Sequence, residues 1–163
     1  MMAEITYQMV LSTIQTVGLL VGIFYYVTSL RNQSKARKTQ LYLQMVNKFS
    51  EPYMNEAQGK AADFEWATAD DFMVDWKNPE RRVTLGIEGA WYEGLGVLVK
   101  ENLLDIRVVA LLLSSLVARF WEKLIPIIDK VREAHMGPRF WTETEYLYNQ
   151  LMKYTKEHPE LST

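Results

Sequence analysis

The chain has 163 residues, with 18 Lys and Arg against 20 Asp and Glu, for a formal net charge of -2. That balance argues against a nucleic-acid partner for the chain as a whole. Cysteine is absent, which excludes disulfides and thiolate chemistry and fits a cytoplasmic domain. Five Trp and nine Tyr supply ample apolar surface for the core of one small domain.

Residues 5–30, ITYQMVLSTIQTVGLLVGIFYYVTSL, hold no charged residue and no proline. A helix needs roughly 20 apolar residues to cross a bilayer, and this stretch exceeds that length. Directly after it come Arg31, Lys35, Arg37 and Lys38, with no acid among them. A signal peptide carries its positive charge before the apolar run, and a core helix rarely stays uncharged for so long. The reading is therefore a single membrane helix in the cell (inner or plasma) membrane. The basic segment acts as a topology signal or meets lipid headgroups, at roughly 1 kcal/mol per residue in the latter case. The positive-inside bias places the N-terminus outside and the rest in the cytoplasm. Residues 1–36 are then tail, membrane helix and basic stop, and residues 37–163 a helical cytoplasmic domain.

One face of the membrane helix is polar or small. Gln8, Ser12, Gln15, Gly18, Gly22 and Ser29 follow one another in helical steps. Gly18 and Gly22 have the Gly-x-x-x-Gly spacing that lets helix backbones approach, and glutamines facing lipid call for partners. This face is the candidate surface for self-association or for docking on another membrane subunit.

Beyond Leu30 no glycine or proline interrupts the chain before Glu51, so the helix is expected to continue as a stalk. Tyr42, Val46, Phe49 and Tyr53 form its apolar face, and Pro52 stops or kinks it. The acidic stretch from Asp63 to Trp76 reads as a loop and a short helix with a solvated acidic face. Asn78-Pro79-Glu80 starts a helix that runs to about Glu101. Its expected buried stripe is Val83, Ile87, Trp91, Gly94, Leu95 and Leu98. Asp105 caps the next helix, whose core face is Ile106, Val109, Leu113, Leu116, Val117 and Phe120. Pro126 ends or kinks it. Met136-Gly137-Pro138 is a turn, Thr142 and Glu145 form a capping box, and the last helix ends near Glu157. No strand pattern competes. The fold class is all-α: one N-terminal membrane helix, a stalk and a bundle of about four helices.

Four segments carry a family resemblance: TVGLLVGIFYYVTSLRNQ near the N-terminus, YEGLGVLVKENLLDI from Tyr92, FWEKLIPII from Phe120 and EYLYN from Glu145. Together they resemble a prokaryotic domain-of-unknown-function family of single-pass membrane proteins. The resemblance covers Thr16 to about Lys153. It implies one N-terminal membrane helix and a cytoplasmic helical domain. It carries no activity, so no functional residue is transferred.

No catalytic constellation stands out. His135 and His158 lie outside any Glu-x-x-His or His-x-x-x-His spacing, and the acids from Asp63 to Asp75 do not match a calcium loop. Neither a metal nor a cofactor is expected. Gly86, Gly89, Gly94 and Gly96 crowd one helix without the strand that a phosphate loop needs; close approach of a neighbouring helix, or of Trp91 and Trp121, is the expected reason. Arg119 and Glu122 lie in apolar surroundings, and Glu88 or Glu93 is placed to pair with Arg119 across helices. Glu93, Arg119 and Glu122 thus mark a buried ion pair or a pocket. Three functions follow. The leading one is a non-enzymatic, membrane-anchored protein that self-assembles or serves as an accessory subunit, presenting its helical bundle to a partner. The others are a homo-oligomeric pore lined by the polar stripe, and an enzyme or ligand binder with a pocket near Arg119 and Glu122.

Overall fold

The computed structural model describes residues 2–161. All regular structure among them is helical: α1 Met2–Phe49, α2 Pro52–Ala62, α3 Ala69–Lys77, α4 Pro79–Lys100, α5 Ile106–Leu124, α6 Ile128–Val131 and α7 Thr142–Glu157. A π-helical turn, Arg132–Met136, follows α6, and a 3-10 turn, Pro159–Leu161, follows α7. The chain divides into two compact units, one ending at Gln40 and the other beginning at Leu41.

The first unit is helix alone. α1 is continuous past Leu30 because nothing between there and Phe49 breaks it. From Thr6 to Gln40 every side chain except that of Ser29 is exposed. Among the described residues this is the one helix long and apolar enough to cross a membrane.

The second unit starts with the end of α1 and folds around α4, which packs against α2, α3 and α7, while α7 also packs on α5. Local signals set most boundaries. Asn78 caps α4 by accepting from the backbone N–H groups of Glu80 and Arg81, with Pro79 in the first turn. Asp105 caps α5 through Arg107 N–H. Pro52 opens α2 after α1 has ended at Phe49. The π-helical turn ends at Gly137, whose φ of 85° is open to glycine at no steric cost.

The α5 core face holds as expected: Val109, Leu113, Val117 and Phe120 are buried, and Ile106 and Leu116 half-buried. The α4 stripe does not. Its buried residues are Thr84, Leu85, Glu88, Gly89, Tyr92, Leu95, Gly96 and Val99, while Val83 is 59% exposed. Only Leu95 belongs to both sets. Choosing the most apolar residues rotated the face, because the true face includes glycines, a threonine and a glutamate. On the α1 stalk, Met45 is buried, and beyond it Tyr53 is exposed. Asp75 also departs from the solvated acidic face: it is buried, accepts from Trp66 Nε1 at 3.0 Å and pairs with Arg81.

The capping box expected at Thr142 and Glu145 is not formed. Trp141 is the residue before α7, with φ 52° and no side-chain cap. Glu145 pairs with Arg132 at 2.7 Å. A capping box does form between Thr68 and Asp71, at the start of α3.

Two of the four α4 glycines have a packing reason. A Cβ on Gly89 would overlap the Trp141 ring, and one on Gly96 would overlap the backbone of Glu143. The close neighbour is therefore α7 and the residue before it, rather than Trp91 or Trp121. Gly86 and Gly94 face open space. In urea or thermal unfolding of the purified chain, followed by circular dichroism, Gly94→Ala should stabilise by up to about 1 kcal/mol, the helix cost of glycine. Gly96→Ala should destabilise by about 1–3 kcal/mol, the range for overpacking. Equal effects would place the α4–α7 contact elsewhere.

Candidate functional site

Two places carry unused chemistry. The first is the polar face of α1. Gln8, Ser12, Gln15, Gly18 and Gly22 are all exposed, and nothing lies within 4 Å of where a Cβ would stand on either glycine. Thr13, Thr16 and Thr28 donate to carbonyls one turn back, on Met9, Ser12 and Phe24. Gln8 and Gln15 make no side-chain hydrogen bond among the described residues. Arg31, Lys35, Arg37 and Lys38 are exposed and form no ion pair there.

The second place is a cleft of about 690 Å³ walled by α2, α4, α5 and the Trp66 loop. That volume lies within the range of small-molecule sites, roughly 300–1,000 Å³. α2 contributes Asn55 and Gln58, α4 contributes Glu88 and Tyr92, and α5 contributes Arg119, Phe120, Glu122 and Lys123. Helical spacing explains the set. Glu88 and Tyr92 are one turn apart on α4, and Arg119, Glu122 and Lys123 are three and four apart on α5.

Among the charges around the cleft, Lys123 is the most firmly engaged. Lys123 Nζ donates to the carbonyls of Ala61 and Ala62 at the C-terminal end of α2, where a positive charge is favoured. Glu122 is exposed and forms no ion pair among the described residues. Arg119 donates Nε–H to the Ser115 carbonyl at 3.4 Å and meets no carboxylate within ion-pair distance among the described residues. Gln58 Nε2 is buried without an acceptor.

Glu88 is the anomaly. It is 4% exposed, yet makes no hydrogen bond and no direct ion pair among the described residues. Burial pushes its carboxyl up to about 7, against a weaker opposing pull from the positive charges of Lys123 and Arg119. Burial and the adjacent Glu88 also push the Tyr92 phenol up.

The structure brings Arg119 and Glu122 to this cleft, but both are exposed and neither is in a buried ion pair, and it sends Glu93 elsewhere. Glu93 accepts from the backbone N–H and the hydroxyl of Thr144, at 2.8 and 2.9 Å, and so serves as the cap of α7 from a neighbouring helix. Glu88 takes the position by Arg119, through space rather than as a contact pair. The set Leu85, Glu88, Tyr92, Leu95 and Val99 follows helical spacing as well as the apolar set does. Reading Tyr92 as buried is the signal that would have put Glu88 at the centre.

A carboxyl whose folded-state pKa lies near 7 rather than 4.5 favours the folded protein at low pH. That contribution fades as pH rises from the ordinary value through 7. Glu88→Gln removes the dependence. Relative to wild type, the variant should gain up to about 3 kcal/mol between pH 4 and pH 8, since each tenfold change in proton affinity is worth about 1.4 kcal/mol. Chemical denaturation at the two pH values measures it, and a gap that does not change with pH would put Glu88 in water.

No curated protein sequence and no solved structure matches the chain. A family model described as Domain of unknown function (DUF4760) matches residues 12–151. The matched span runs from the apolar part of α1 into α7 and takes in every residue of the cleft. The chain is therefore a member of this domain-of-unknown-function family.

Proposed function

We propose that this protein is a non-enzymatic membrane anchor carrying a helical domain, which assembles through its membrane helix and presents the domain to a partner in the cytoplasm. One observation carries the reading. Leu19, Leu20, Val21, Ile23 and Phe24 are each more than half exposed, while the second unit closes its own core around Phe72, Leu85, Leu113 and Leu147. A core helix would be covered, so this apolar surface calls for lipid or a partner helix. The basic residues that follow the apolar run support a cytoplasmic domain. The open face at Gly18 and Gly22, with Gln8 and Gln15 beside it, supports association between helices. The same glutamines, lacking partners within the described chain, also suit a ring of helices around a polar path. An absence of conductance from the wild-type protein in reconstituted bilayers removes that second reading.

Two measurements test the proposal. With a protease added to intact cells, a C-terminal tag should be protected and an N-terminal tag cut; the reverse pattern overturns the orientation. In detergent, the oligomer mass should fall for Gly18→Leu combined with Gly22→Leu, because the larger side chains hold the backbones apart. Gln15→Leu should weaken assembly only mildly, since an interhelical polar bond contributes on average about 0.6 kcal/mol. Leu20→Ala with Phe24→Ala, on the opposite face, should leave it unchanged. An intact oligomer after the glycine replacements would move assembly to the helical domain.

A further inference from the structure

We propose that the cleft between α2, α4 and α5 binds a small amphipathic monocarboxylate, its carboxylate between Arg119 and the carboxyl of Glu88, its apolar body against Trp66, Tyr92 and Phe120. The inference concerns the second unit alone and does not depend on the anchor.

Three observations carry it. The first is Glu88 itself: a carboxyl 4% exposed, lining a cleft and without a hydrogen bond of its own among the described residues. Among the described residues the sealed unpartnered side-chain atoms are Gln58 Nε2 and Trp91 Nε1, whereas the Glu88 oxygens open on the cleft, where a ligand can meet them. The second is the charge inventory. Lys123 is held by the carbonyls of α2, while Arg119, exposed at the cleft, donates only to the Ser115 carbonyl and meets no carboxylate within ion-pair distance among the described residues. A guanidinium and a carboxylate match in planar, two-point geometry. The third is shape. The polar groups sit beside aromatic walls in a cleft of about 690 Å³, the arrangement of a small-ligand pocket rather than a flat protein interface.

The sign of the ligand follows from the same charges. Arg119 and Lys123 both act on Glu88 through space, and both repel a cation. A ligand carboxylate is attracted by Arg119 and accepts a hydrogen bond from Glu88 in its acid form. A second negative charge would meet Glu122 on the wall, which favours one charge over two. The proton on Glu88 makes binding pH-dependent. Facing it are Arg119, Glu122 and Lys123 from α5 and Tyr92 on its own helix. α2 brings only the neutral Asn55 and Gln58 to this cleft. On α3, Asp75 is occupied by Trp66 and Arg81; on α7, Glu143 is occupied by Lys100. No histidine lines the cleft.

The test uses the full chain in phosphatidylcholine nanodiscs, with isothermal calorimetry against empty discs. The probes are 3-phenylpropionate, its neutral amide 3-phenylpropanamide and the cation 3-phenylpropan-1-amine. The carboxylate should bind, and the other two at least about tenfold more weakly. Arg119→Leu should weaken the carboxylate by about tenfold or more. Wild type should bind about tenfold more weakly at pH 8 than at pH 6, because the acid form of Glu88 falls by that factor across pH 7. Glu88→Gln, nearly isosteric and still a donor, should bind with that pH dependence gone. Circular dichroism confirms that each variant stays folded. The proposal is overturned by a lack of heat from the carboxylate, by equal binding of all three probes, by an Arg119→Leu variant that binds as wild type, or by a pH dependence that survives Glu88→Gln.

Discussion

The close approach of α7 to α4 is the contact on which the helical domain depends. It is made possible by the missing side chains of Gly89 and Gly96, which admit the Trp141 ring and the backbone of Glu143. Once the two helices are that near, Glu93 can reach across to Thr144 and Lys100 can pair with Glu143 at 2.7 Å. Trp141 then enters an aromatic cluster, with ring centroids 4.3 Å from Phe140 and 5.3 Å from Phe120. Its left-handed backbone is uncommon for a bulky residue and costs on the order of 1–3 kcal/mol. Several aromatic contacts, each about 0.5–1.5 kcal/mol beyond simple burial, offset that strain. Arg132 adds to it by donating to the carbonyls of Phe140 and Trp141.

Three acids around α4 meet burial in three ways. Asp75 is paired with Arg81 and with the Trp66 indole. Glu93 is absorbed into the start of α7. Glu88 alone of the three has neither, and the domain tolerates it by letting the carboxyl hold its proton. A purely structural glutamate would normally be satisfied as the other two are. This contrast makes the cleft the candidate site of the helical domain, in a chain that belongs to a domain-of-unknown-function family.

The first unit follows a different rule. Its apolar side chains do not cover one another, since a single helix has no inner face. The hydroxyls of Thr13, Thr16 and Thr28 return to their own backbone, which removes polar groups that a lipid environment would penalise. What is left facing outwards is aliphatic surface on most sides and, on one side, Gln8, Gln15 and the two glycines.

Properties written in consecutive residues were legible in the sequence. The all-α class, the long apolar helix, the caps at Asn78 and Asp105, the turn at Gly137 and the end of α7 at Glu157 all follow from rules that act within a few residues. Where a neighbour from a distant part of the chain decides, local reading went astray. The α4 face was turned because its true partners, Trp141 and Glu143, arrive more than 40 residues later. The capping box at Thr142 lost to Trp141, whose ring is anchored in a cluster drawn from α3, α5 and Phe140. Arg119 and Glu122 were visible as charges on an apolar helix, where the structure leaves both exposed, but their relation to Glu88 was not, because burial is a property of packed helices. Sequence by itself determined which segments are helices and which of them suits a membrane. Only the tertiary structure decided which glutamate loses its water, since desolvation depends on what the other helices place around it.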